Sequence, residues 1–154
     1  MATTNNPMTV GPTADAASMK TIQMAGLLVD VYGLAEVPAA AGHISCLWLH
    51  HPRTIDKSAM ANIAADCIAA WYASPQARGG ERALVALAYD QRNHGTRLVD
   101  ELAVKAWREG NATHAQDMFS VIAGSEFFFC LTSPLFMFCS KVGCKCEDAD
   151  VEAQ

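Results

Sequence analysis

A chain of 154 residues has the length of one domain. A hydrophobic fraction of 51% beside 18% charged residues supports a packed core and excludes a disordered or low-complexity protein. The net charge is −5 and Lys and Arg are scattered, so no basic patch points to nucleic acid or an anionic membrane as partner.

Met1 to Lys20 is rich in Thr, Asn, Pro, Ala and Ser and lacks an apolar stretch flanked by basic residues. It is expected to be a disordered lead with no secretory signal, which makes the expected address cytoplasmic. The six cysteines are then expected to be reduced. Thr21 to Leu34 is mainly apolar. Within it, Leu28, Asp30 and Tyr32 alternate with Leu27, Val29 and Val31, as in a half-buried strand. Glu36 to Gly42 forms a connection. His43 to Leu49 is apolar on both faces, the pattern of a central strand in a parallel sheet. Pro52, in His50-His51-Pro52-Arg53, stops that ladder.

Asp56 can cap the next element, in which Met60, Ile63, Ala64, Cys67, Ile68 and Trp71 recur along one helical face. Arg82 to Tyr89 is a second buried strand, so strand, helix and strand make a βαβ unit with parallel strands and a right-handed crossover. A weaker helical pattern covers Leu98 to Arg108. Ala115, Met118, Phe119 and Ile122 mark an amphipathic helix ended by Gly124, on which Ser120 is expected to face outward. After Gly124 the pattern is lost. Phe127 to Cys139 has neither helical nor alternating order and is too short to span a bilayer, which takes roughly 20 residues.

The densest chemistry is Asp90-Gln91-Arg92-Asn93-His94-Gly95, directly after the apolar run Ala83 to Ala88. This Asp-x-Arg-Asn-His-Gly pattern resembles the turn after the fourth strand of the α/β-hydrolase fold, in its serine esterase-like branch. The resemblance covers about Thr21 to Gly124. It implies an α/β architecture, a partial α/β-hydrolase fold: a mostly parallel sheet with an opening antiparallel strand pair and flanking helices, truncated before the nucleophile strand. It divides the chain into a lead at 1–20, the N-terminal half of a hydrolase domain at 21–124 and a tail at 125–154 outside the family.

In open α/β sheets, ligands bind beyond the carboxyl ends of the strands. Leu47 to Arg53 resembles the family's oxyanion turn, with His51 at the His position and Pro52 in place of Gly. The resemblance then gives the backbone N–H of Arg53 as the donor to a developing oxyanion. Pro52 cannot donate, and the alternative register, His50-His51-Pro52, would put proline at the donor position. In the family the turn Asp90, Arg92, Asn93, His94, Gly95 shapes the floor of the site and is structural. Asp90 is expected to accept N–H groups two residues on, Arg92 to pair with nearby carboxylates or carbonyls, and Gly95 to adopt a positive φ.

No catalytic residue is assigned. No Gly-x-Ser-x-Gly occurs, and no histidine follows His114, so the family order of serine, acid and histidine cannot be completed within these residues. The implied substrate class is a small ester-like molecule, with turnover not expected of this chain alone. The alternative reading is a non-catalytic binding or regulatory half-domain. Cys130, Cys139, Cys144 and Cys146 are poorly spaced for zinc, and no dinucleotide or phosphate-loop fingerprint appears. No metal or cofactor is therefore expected.

Overall fold

A computed structural model of the protein describes residues 14–125. Its strands are β1 (Met19–Met24), β2 (Leu27–Tyr32), β3 (His43–Leu49) and β4 (Arg82–Tyr89). The helices are α1 (Ala61–Ala73) and α2, which occupies 114–125. Among the described residues no helix is long and apolar enough to cross a membrane. The tail expected to be foreign, and its four cysteines, lie outside the described residues apart from Ser125.

The four strands form one sheet in the order β1-β2-β4-β3. β1 pairs with β2 and β2 with β4 antiparallel, while β3 and β4 are parallel. The expectation of a mostly parallel sheet is therefore wrong: the sheet is mixed, and most of its pairings are antiparallel. The connections account for this. Ala25 and Gly26, with φ of 48° and 80°, reverse the chain in a two-residue hairpin. The stretch 33–42 contains no helix, so it turns the chain back rather than carrying it over the sheet. Only the β3–α1–β4 crossover returns a strand in its original direction, as expected.

β4 is the strand buried on both faces. Val85, Leu87 and Tyr89 join Val29 and Val31 on one face, with Ile44, Cys46 and Trp48 of β3 packed against them. On the other face Ala86 and Ala88 lie with Tyr32 against Met60, Ala64 and Ile68. The small side chains of β4 let α1 come close to the sheet. Burial of Val85 or Leu87 contributes about 1.5–3 kcal/mol each. The central position expected for β3 is not found: among the described residues it pairs only with β4, and most of its side chains are half-buried.

Three smaller expectations also change. The lead is ordered at its end: Ala14 N–H donates to Asp66 Oδ1 at 3.0 Å, and β1 begins at Met19, inside the range expected to be disordered. Asp56 does cap, accepting Ser58 N–H at 2.8 Å, but it starts the 3-10 turn Lys57–Met60 that precedes α1. The weak helix over Leu98 to Arg108 is replaced by the short turns Leu102–Val104 and Trp107–Glu109.

Where β2 ends, Gly33 has φ of 88°, and a Cβ there would stand 2.8 Å from Ile68 Cδ1 and 3.3 Å from the Leu84 carbonyl. Gly33→Val should therefore destabilise the domain by about 2–5 kcal/mol, from backbone strain plus overpacking of the α1–sheet interface. Urea unfolding checks this. An unchanged midpoint would mean that α1 does not lie over the end of β2.

Candidate functional site

Because β3 and β4 are parallel neighbours, the turns that follow them emerge side by side at one edge of the sheet. Asp90, the first residue beyond β4, is 2% exposed and joins the two. Its Oδ1 accepts the Lys57 N–H at 2.9 Å. Its Oδ2 accepts the Thr96 N–H at 2.9 Å and the Thr96 hydroxyl at 2.8 Å. Burial pushes this carboxyl upward, but the hydrogen bonds from Lys57 and Thr96 and the charge of Lys57 outweigh it, and the group is held below its ordinary range. The expected acceptance from a residue two positions on is replaced by donors six residues ahead and thirty-three residues behind.

His51, also 2% exposed, is clamped by the second turn. The Gln91 N–H donates to its Nε2 at 3.1 Å, and its Nδ1 faces the Pro52 carbonyl at 2.9 Å. An amide donor on one nitrogen and a carbonyl on the other define the tautomer: Nδ1 carries the proton. The Gln91 side-chain amide donates to the His51 carbonyl, which closes the clamp. Burial pushes the His51 imidazole below its ordinary pKa, and neighbouring His94 adds to this. The His50 ring lies 5.4 Å from that of Tyr89, and its pKa is lowered by partial burial and by His51.

Arg53 is held from the side. Its Nη1 donates to the Val104 carbonyl at 2.7 Å, and Thr54, with φ of 73°, turns the chain after it. Among the described residues the Arg53 N–H has no hydrogen-bond partner. The structure thus places His51, Pro52 and Arg53 beside the turn that holds Asp90, Asn93, His94 and Gly95. Arg92 departs from expectation: it pairs with no carboxylate or carbonyl among the described residues.

His94 is buried. Its Nδ1 faces the Arg92 carbonyl at 2.9 Å, its ring lies 5.2 Å from that of His51, and its Nε2 has no hydrogen-bond partner among the described residues. Asn93, at φ of 59°, pins the following loop. Its Oδ1 accepts the N–H groups of Val99 and Asp100, both at 2.8 Å. Gly95 has φ of 50°, and a Cβ there would collide with the Asp90 carboxylate. The expected positive φ is present, and the close approach gives a second reason for glycine.

Sequence reasoning passed over Gln91, Lys57 and Thr96, which hold the site. Asn111 is 1% exposed and donates to the carbonyls of Ala103 and Lys105 and to Asp117 Oδ2, tying the loop to α2. A threonine one residue after Gly95 was the available signal for the Asp90 turn. Ser120, expected outside, is half-buried and lines a cleft between that loop and α2. Among the described residues no group of three or more His, Cys, Asp or Glu could hold a metal. Burial pushes the Cys46 thiol up to about 12.

Compared with known protein families, with curated proteins and with solved structures, the chain finds no match.

The geometry yields two predictions. Gly95→Val should destabilise by about 3 kcal/mol or more, adding left-handed strain to displacement of a buried, hydrogen-bonded carboxylate. His94→Gln, which keeps a donor for the Arg92 carbonyl, should be milder by at least half. Thermal melts of both variants give the ordering, and an inert Gly95→Val would contradict it.

The second prediction concerns acid. His50 and His51 have folded pKa values below 6.5, so the unfolded chain takes up protons that the folded one resists. Their contribution is complete above pH 6.5 and is lost as pH falls toward the folded values. Asp90, lowered from 3.8, adds a further loss at lower pH. Stability should therefore decline in two steps on acidification, with His51→Asn shrinking only the upper one. A stability profile flat from pH 7 to 5 would contradict this.

Proposed function

We propose that the chain presents an α/β-hydrolase-type oxyanion turn without a nucleophile beside it, and that it binds the carbonyl of a small ester-like or acyl ligand without turning it over. One observation carries this reading. The Arg53 N–H, unbonded among the described residues, sits in a turn fixed by His51, which is itself clamped by Gln91 at the carboxyl edge of two parallel strands. A preorganised N–H at such an edge can stabilise negative charge on a carbonyl oxygen without rearranging. The order strand, turn, helix, strand, turn supports the resemblance to that family.

Two of the described serines favour binding over catalysis. The Ser58 hydroxyl is tied to Asp56 Oδ1 and the Ser125 hydroxyl to the Val121 carbonyl. Neither has a histidine to take its proton, so neither is an activated nucleophile.

Two measurements test the reading. The chain should hydrolyse a short-chain aryl ester no faster than buffer and should not be labelled by a fluorophosphonate; stoichiometric labelling at one serine would defeat it. Titration with a non-hydrolysable aryl methyl ketone should shift the Arg53 amide resonance before the other amides of the sheet edge. Shifts confined to residues away from 50–54 would remove the oxyanion role.

A further inference from the structure

The cleft between the Arg92–Val104 loop and α2 has a volume of about 590 Å³ and is lined by both Arg92 and Arg97. Its charges are arranged unusually. Asp100 and Asp117 line the same cleft, yet neither pairs with an arginine: among the described residues the ion pair between charged groups is Lys57–Asp30. The two acids are engaged by neutral donors instead. Asp117 Oδ2 accepts Asn111 Nδ2 at 2.9 Å and the Thr113 hydroxyl at 3.0 Å, and Asp100 Oδ1 accepts the Leu102 N–H at 2.8 Å.

The cations are left available. Arg97 is half-buried and uses Nη1 on the Asp90 carbonyl at 3.0 Å, which fixes the side chain while leaving other guanidinium N–H groups unused. Arg92 has no partner among the described residues. Its stem runs beside α2, with Cδ and Cβ 3.8 and 3.9 Å from where a Cβ on Gly124 would stand. Two guanidinium groups in one cleft form a ready receptor for a carboxylate, because their planar N–H forks match its two oxygens.

The rest of the lining is apolar in part. Val104 and Val121 contribute, and Val99 stands 93% exposed. Asn93 Oδ1 holds the Val99 N–H at 2.8 Å, so this exposed valine is fixed in place by a side-chain clamp. Apolar residues beside cations that pair with no carboxylate among the described residues suit an amphipathic anion rather than an inorganic one.

We propose that this cleft binds a small aliphatic carboxylate, with Arg92 and Arg97 taking the carboxyl group and Val99, Val104 and Val121 the hydrocarbon. The assignment does not rest on the carbonyl-binding role of Arg53, since no residue of the oxyanion-type turn lines the cleft.

Calorimetric titration of the full-length chain with sodium hexanoate at low ionic strength tests it. One-to-one binding is expected, weakened on the order of tenfold by Arg92→Gln, as befits loss of charged hydrogen bonds. Arg97→Gln should act similarly, and if it unfolds the domain, Arg92, exposed and without a partner among the described residues, still decides the matter. Val99→Asn should weaken hexanoate while leaving acetate unchanged. Hexanamide should not bind. No binding of hexanoate, binding indifferent to Arg92→Gln, or inorganic phosphate binding as tightly as hexanoate would each overturn the proposal.

Discussion

A charge removed from water is tolerated only when several donors replace its hydration, and Asp90 meets that condition with donors from opposite ends of the crossover. Lys57, at the entrance to α1, donates through its backbone to one oxygen; Thr96, beyond β4, donates twice to the other. The carboxylate therefore ties the end of the β3 turn to the end of the β4 turn. If it were lost, the Gln91–His51 clamp would be left to join the two turns, and the N–H groups of Lys57 and Thr96 would need new acceptors. Gly95 follows as a consequence, since the space a side chain would occupy is taken by the carboxylate.

The arrangement propagates outward in a fixed order. Arg97 donates to the Asp90 carbonyl, which sets the 3-10 turn Gly95–Arg97. Asn93 carries the constraint to Val99 and Asp100. Arg53 reaches the Val104 carbonyl and so joins the turn after β3 to the far end of the same loop. Asn111 then binds Ala103 and Lys105 to α2. A stretch with only short 3-10 turns, 90–111, is thus ordered by side chains accepting and donating to its backbone. Its polar groups need that help because no sheet or long helix satisfies them.

This explains what the sequence could and could not disclose. β4 was legible because Arg82 to Tyr89 is apolar at both parities, and a strand buried on both faces needs that. The α1 face was legible through its period. β3 misled for the same reason that β4 did not: His43 to Leu49 has a central strand's composition, while its position depends on what pairs beyond it. β1 left little trace, because its hairpin turns at Ala25-Gly26 rather than at an Asn-Gly or Asp-Gly pair. The direction of β2 was equally hidden, since alternation fixes a strand's faces and not its sense. At the site, Asp90 and Gly95 announced a turn by residue type. Lys57 donates to Asp90 and Gln91 to the His51 ring through backbone N–H groups, and every residue except proline has one.

α2 shows the same limit from the energetic side. Its periodic apolar residues predicted a buried face, yet Phe119 is 73% and Ile122 62% exposed, while Asp117 and Ser120 line the cleft. Exposed apolar area contributes nothing to holding the helix in place. What attaches α2 includes the Asn111–Asp117–Thr113 hydrogen bonds at its start and the Tyr89 hydroxyl donating to the Ser125 carbonyl at 3.4 Å at its end. Net stabilisation by such bonds is about 0.5–1.5 kcal/mol each, less than burying one large side chain. The sheet and α1 are held by a continuous apolar core, whereas the hydrogen bonds that tie α2 to the other described residues lie at its ends. Local opening should therefore separate α2 from the Arg92–Val104 loop before it disturbs β4, so the cleft lies where the domain can widen at least expense to its core.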